Sequence, residues 1–254
     1  MDELTPDGQG TALPYRLGPA RPALGLVVLQ SDETVEADMR RLLPQRANLM
    51  VSRVPSGAEV TPETLTAMEA HLGQAAALFP PWARFQAIGY ACTSGTAQIG
   101  VPHVAAQISA VVRTEAVTEP VSALIAACRA LGVTRLGLIS PYVAPVSARL
   151  RAVLAEARIE TPAFASFEVA EEARVARIGP GSLRRAALRV AAEAPVEALF
   201  LSCTNLRTLS ALPALERELG LPVLSSNQVL AWHMMRLAGL TPPRRAPGWL
   251  FKSG

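Results

Sequence analysis

The chain has 254 residues, half of them hydrophobic and only 5% aromatic, with a formal net charge of +3. That length allows one large domain or two small ones, and the apolar half suffices for a sizeable core. The mild basic excess is scattered (Arg40, Arg41, Arg149, Arg151, Arg184, Arg185) beside acids, which argues against a nucleic-acid patch, and no stretch approaches 18 consecutive apolar residues, so no membrane span is expected.

Residues 1–22 are rich in Pro and Gly, carry Asp2, Glu3 and Asp7, and show no apolar leader. They read as a flexible N-terminal arm on a chain expected in a reducing cytoplasm with its thiols free. The first apolar run of strand length is 23–29. The turn Gln30-Ser31-Asp32-Glu33-Thr34 leads into a helix over 35–43, which Pro44 stops. Residues 48–54 form a second predicted strand. A helix opens at Thr61 and runs to about residue 79: Thr61 caps it, Pro62 suits the first helical position, and Glu63 meets the positive end of the helix dipole. A third strand, 85–91, ends at Cys92. A helix over about 100–110, a short apolar segment at 115–117 and a helix over 120–131 follow.

A second series then starts: strand 135–140, helix 144–158, strand 162–168, helix 181–194, and strand 197–202 ending at Cys203. A helix over 211–219 closed by Gly220, a short strand at 222–224 and a helix over 228–238 complete it. Strands alternate with helices and are apolar throughout, the pattern of parallel sheets covered on both faces. The order of elements repeats after about 110 residues. The expected fold is α/β, with two pseudosymmetric Rossmann-like lobes, each a short parallel sheet flanked by helices. The first lobe is assigned to 23–118 plus 225–254 and the second to 119–224.

Ligands of such sheets sit at the carboxyl ends of the strands. Cys92 and Cys203 both stand there, 111 positions apart, in a repeated context: Tyr90-Ala91-Cys92-Thr93-Ser94 and Leu201-Ser202-Cys203-Thr204-Asn205. A thiol at a strand end, before a tight turn into a helix, lies beside backbone N–H groups that favour the thiolate and equally hold a carboxylate. Thr93, Ser94, Thr204 and Asn205 add donors for the same anion. One thiolate can act as base or nucleophile while a facing thiol acts as acid. That pairing suits proton exchange beside a carboxylate, or addition of sulfur to an activated double bond. A lone Cys at a strand end is more often a small core hydrophobe; the repetition is what favours chemistry. Cys128, in Ala126-Ala127-Cys128 within a helix, reads as core. His71, His103 and His233 stand singly without ligand spacing, and no Walker-type loop or GxGxxG is present. Neither a metal nor a nucleotide cofactor is expected.

These residues carry a resemblance. Over roughly 23–250 the chain resembles the aspartate/glutamate racemase superfamily. Within it, it is similar to the branch of maleate cis-trans isomerase, arylmalonate decarboxylase and the ectoine-utilisation protein, most of all the last. The most specific parts are residues 91–96, 201–206 and 212–227. The resemblance implies two pseudosymmetric lobes, a cofactor-free site between them, and two cysteines flanking a small carboxylate substrate. Decarboxylase members keep only the second cysteine, so Cys92 favours a racemase or isomerase. The alternatives are a decarboxylase using Cys203 and a ligand-binding protein that has kept the fold. The family's first turn usually holds an Asn for a substrate carboxylate, and Asp32 stands at the matching position. A Tyr after the first strand of the second lobe matches Tyr142, and a second carboxylate-binding Asn falls near Glu172. An acid against a carboxylate repels it and against an amine attracts it. The two replacements therefore imply a substrate bearing nitrogen, such as an amino acid or an ectoine-derived diamino acid, rather than plain maleate. The blander reading makes Asp32 a helix cap and Glu172 a solvated acid. The arm 1–22 and the tail with Trp249 and Phe251 offer apolar surface, from which a homo-oligomer is expected.

Overall fold

The structure, a computed structural model, describes residues 15–252, so most of the predicted arm lies outside the described residues. Residues 16–22 carry no regular structure and run exposed up to β1. The first series is β1 (Ala23–Leu29), α1 (Val35–Leu42), β2 (Asn48–Val54), α2 (Pro62–Ala67), α3 (Glu69–Ala76), β3 (Ala87–Ala91), α4 (Thr93–Ile99), α5 (Val101–Ser109), β4 (Val117–Thr118) and α6 (Pro120–Leu131). The second is β5 (Arg135–Ser140), α7 (Ala144–Glu156), β6 (Glu160–Ser166), α8 (Glu172–Val175), α9 (Pro180–Glu193), β7 (Ala198–Leu201), α10 (Leu212–Leu219), β8 (Val223–Ser225) and α11 (Ser226–Leu237). A 3₁₀ turn, Trp249–Phe251, follows.

Each series builds one four-stranded parallel sheet, in the orders β2-β1-β3-β4 and β6-β5-β7-β8. The orders correspond strand for strand, so Cys92 and Cys203 follow equivalent strands at equivalent edges. The inner strands β1, β3 and β7 are buried along their whole length, because helices cover both faces.

The series exchange helices. α6 leaves the last strand of the first sheet and packs on the second: Val121, Leu124 and Ala127 share a buried cluster with Leu136, Leu138, Ala198 and Phe200. α11 leaves the last strand of the second sheet and packs back on the first, Met234 lying with Leu24, Leu26 and Ala87. The approach is close: a Cβ added at Gly89 would stand 2.7 Å from Met234 Sδ. The interlocked halves bring the ends of β3 and β7 together.

Some predicted elements differ. The helix expected over 61–79 is two helices, meeting at Met68. α4 was not foreseen, because Thr, Ser, Gly and Thr are weak helix formers; burial of six of its seven residues overrides propensity. α8 was also not foreseen, being a single turn with one apolar side chain in its core. The predicted tail is less exposed than expected, Trp249 at 37%, whereas Trp82 at 80% and Leu78 at 76% stand out before the amino end of β3. No helix among the described residues is long and apolar enough to cross a membrane.

Candidate active site

Cys92 is the N-cap of α4. Its sulfur accepts the Gly95 N–H at 3.1 Å, the place that a Ser or Asp oxygen takes at an ordinary helix start. Ser94 Oγ lies 3.7 Å from the same sulfur. Position 95 has no room for a side chain: a Cβ there would meet Tyr90 Oη at 2.6 Å and Cys92 Sγ at 2.8 Å. Cys203 ends the equivalent strand with a different backbone. Its φ of 109° lies in the left-handed region, which residues with a Cβ rarely take. Its sulfur accepts the Asn205 N–H at 3.2 Å and lies 2.8 Å from Tyr142 Oη.

The residue after each cysteine reaches across to the other half. Thr204 Oγ1 donates to Ala91 O at 3.1 Å. Thr93 Oγ1 lies 2.7 Å from Ser226 Oγ, which accepts the Cys203 N–H at 2.9 Å. The two threonines expected to receive a substrate anion are thus occupied in tying the strand ends together. Asn227 adds to the clamp, its Nδ2 donating to Thr204 O at 2.8 Å and Asp38 Oδ2 at 2.9 Å.

Two acids complete the site. Glu172 is buried rather than solvated: its Oε1 accepts the Tyr142 hydroxyl at 2.9 Å and its Oε2 accepts Asn205 Nδ2 at 2.7 Å. Asn205 is fixed in turn by the Glu33 N–H, which donates to Oδ1 at 2.9 Å. Asp32 Oδ1 accepts the Thr34 and Val35 N–H groups at 2.7 and 2.8 Å, so it holds the turn into α1, whose N-cap is Thr34. Its Oδ2 is buried beside the Thr204 hydroxyl, whose hydrogen goes to Ala91 O, so no donor is left for it. Among the described residues no Arg, Lys or His side chain is buried. The positive charge acting on Asp32 is Arg53, whose Nη1 donates to Asp32 O at 3.2 Å.

Electrostatics follow from burial. Loss of solvent pushes the Cys92 thiol up to about 12; the Gly95 N–H and Ser94 hydroxyl oppose this, and the Glu172 charge adds to it. Burial also raises Cys203 well above its ordinary 9.0, with Glu172 and Asp32 adding and Tyr142 and the Asn205 N–H opposing. The backbone donors act in the direction the sequence suggests, but desolvation outweighs them and both thiols are protonated at rest. Asp32 and Glu172 are themselves raised, first by burial. Tyr142 is raised by burial and then by Cys203, Glu172 and Cys92, so these four groups lie close enough to act on one another.

The fold thus gathers Cys92, Ser94, Cys203, Tyr142, Glu172, Asn205 and Asp32, with Thr93 and Thr204 as ties. Cys128 lies buried in α6, as expected of a core residue. Sequence reasoning missed Tyr90 and Ser226. The first looked like an ordinary strand aromatic; the second carried a signal, the correspondence of residues 223–227 with the segment before α6.

Residues 104–251 match the arylmalonate decarboxylase family. A maleate isomerase of Nocardia farcinica is 31% identical over 237 residues, 89% of this chain and 92% of that one. An arylmalonate decarboxylase of Bordetella bronchiseptica is 37% identical over 119 residues, 46% of this chain and half the length of that relative. A solved structure of the Nocardia farcinica maleate cis-trans isomerase, a cysteine-to-serine mutant with a covalently bound succinylcysteine intermediate, matches with a TM-score of 0.79 at 26% identity. That match covers 92% of this chain and 100% of that one.

Proposed function

Because the chain belongs to the arylmalonate decarboxylase family, in the branch that also holds the maleate isomerases, we propose that it is a two-cysteine isomerase or racemase of a small carboxylate, working without a cofactor. The observation that carries this reading is the pair of Cys-Thr turns: Cys92 and Cys203 end equivalent strands, are tied across by Thr93 and Thr204, and share Tyr142 and Glu172 as neighbours. Two thiols around one substrate support two routes. In the first, one sulfur, as thiolate, takes a proton from the carbon beside the carboxylate, and the other thiol returns one to the opposite face. In the second, sulfur adds to a carbon–carbon double bond, the resulting single bond rotates, and the sulfur leaves. The succinylcysteine of the Nocardia farcinica structure supports the second route.

The acids narrow the substrate. Both Glu172 oxygens are engaged, whereas Asp32 Oδ2 is buried without a donor. A substrate amine would supply that donor, while a plain dianion would meet two carboxyls and no buried cation. The reading is therefore an amino acid or an ectoine-derived diamino acid. A second reading, a decarboxylase of disubstituted malonates, is favoured by the family match itself, which spans the half holding Cys203 and leaves out Cys92.

One experiment separates these readings: a panel of amino acids, maleate, ectoine hydrolysis products and arylmalonates in heavy water, followed by NMR, with the parent, Cys92→Ser and Cys203→Ser. Deuterium entering beside a carboxylate, lost in both variants, supports the racemase. Conversion of maleate without that exchange supports addition. Carbon dioxide release that survives Cys92→Ser supports the decarboxylase. Full turnover in both variants would remove the two-cysteine reading.

A further inference from the structure

The two thiols are not equivalent. Cys92 Sγ has a backbone N–H and two hydroxyls, those of Ser94 and Tyr90, as its hydrogen-bond partners, and neither hydroxyl is bonded to a carboxylate. Cys203 Sγ has a hydroxyl that is itself bonded to a carboxylate: Cys203 Sγ to Tyr142 Oη is 2.8 Å, and Tyr142 Oη to Glu172 Oε1 is 2.9 Å. We propose that Glu172 is the proton acceptor for Cys203, through the Tyr142 hydroxyl.

The direction of the relay follows from the donors available. Tyr142 has one hydroxyl hydrogen and two candidate acceptors. The carboxylate is the stronger, so the hydrogen points to Glu172 and an oxygen lone pair faces the sulfur, where it accepts the S–H. The Glu172 side chain cannot turn away. Asn205 Nδ2 holds Oε2 at 2.7 Å and also donates to the Glu172 carbonyl at 3.2 Å, while Asn205 is held by the Glu33 N–H. The same Asn205 aims its backbone N–H at the sulfur. One residue thus fixes both ends of the relay.

The transfer balances. The Cys203 S–H bond breaks and its proton joins Tyr142 Oη; the original hydroxyl proton passes to Glu172 Oε1, and the tyrosine remains neutral. One negative charge leaves the carboxylate and appears on sulfur, so the buried group carries the same net charge before and after. Burial raises both the thiol and the carboxyl, and the transfer moves the charge within the buried group without adding to it. The new thiolate keeps two donors, the Tyr142 O–H and the Asn205 N–H. Cys92 has no carboxylate among its hydrogen-bond partners and so has no such relay.

This inference rests on the reading of Cys203 as a reacting thiol, so its test does not depend on a known substrate. Alkylation of Cys203 by iodoacetamide is timed by mass spectrometry in a Cys92→Ser background. Glu172→Gln should slow it roughly 30-fold or more, the equivalent of about 1.5 units of thiol ionisation. Tyr142→Phe, which keeps the ring packing, cuts the middle of the relay and should do the same should Glu172→Gln not fold. The double variant should be no slower than Tyr142→Phe, because both act on one path. Glu172→Asp, which keeps an acid, should recover part of the rate. Alkylation of Glu172→Gln at the parent rate, or no alkylation of Cys203 in the parent background, would overturn the proposal. Should the relay pass this test while no substrate in the panel reacts, the relay stands and the reaction class falls. With a substrate in hand, Glu172→Gln should lower kcat and leave KM within about twofold.

Discussion

The sulfur of Cys92 takes a helix-capping role that an oxygen usually fills, while the sulfur of Cys203 sits on a strained backbone. The strain yields a prediction about stability. Changing Ala to Gly ordinarily costs about 0.4–1 kcal/mol through the unfolded chain. At φ 109° the Cβ itself is the liability, worth about 1–3 kcal/mol. Cys203→Gly should therefore be more stable than Cys203→Ala by about 1 kcal/mol, read from paired denaturation curves; the ordinary order would show that the turn relaxes. The buried acid gives a second prediction. The Glu172 carboxyl is raised above its ordinary 4.5 by burial, so the folded chain holds its proton more tightly than the unfolded chain. Its stabilising contribution is complete below about pH 4.5 and is lost as pH rises through the folded value. Glu172→Gln should raise Tm at pH 8 and leave it unchanged or lower at pH 4, with about 2–4 °C for each kcal/mol recovered in a chain this long. Such a gain in stability, with loss of reactivity, is the usual trade at a functional site.

At the scale of elements, α4 exists because its neighbours require it. Its residues favour turns, yet the Cys92 cap and burial hold them helical, and Gly95 lets Tyr90 Oη and the thiol close over the first turn. Gly95→Ala should cost about 1–3 kcal/mol by overpacking. The Gly95 N–H would move off the sulfur, so activity should fall as well; an unchanged denaturation midpoint would show that Tyr90 swings aside freely. Elements with strong local signals were legible: β1, β2, α6 and β5 have the predicted boundaries, because β1 is a continuous apolar run, β2 and β5 are largely apolar segments of strand length, and α6 is a helix with Pro at its start and Gly after its end. Those that were not legible, α4 and α8, owe their form to contacts with residues distant in sequence.

For the whole molecule, five acids are drawn into the buried interior. Asp32, Asp38, Glu119, Glu172 and Glu216 are all raised, each first by burial. Each supports the fold at pH values below its unfolded pKa, near 4, and loses that support as pH rises through its folded value. His233, lowered by burial and Arg236, acts in the opposite sense below about 6.5. Five groups against one predict a Tm higher at pH 5 than at pH 8, measured by calorimetry at constant ionic strength; the reverse order would show that these acids are hydrated. A further loss is expected between pH 9 and about 12, as Cys92 and Cys128 are forced to ionise.

By itself the sequence determined the two parallel sheets, the repeat between the halves and the placing of a Cys-Thr pair at the end of each equivalent strand. These are local properties: apolar periodicity, caps, and residues next to one another in the chain. Only the tertiary structure decided what the cysteines are. Their protonation at rest follows from desolvation, which no neighbouring residue reveals. The pairing of Tyr142 with Glu172 spans 30 positions and that of Asn205 with the Glu33 backbone 172. The tertiary structure also divided the two acids: it used both oxygens of Glu172 within the fold and left one oxygen of Asp32 without a partner, because only packing fixes which buried polar atoms already have one.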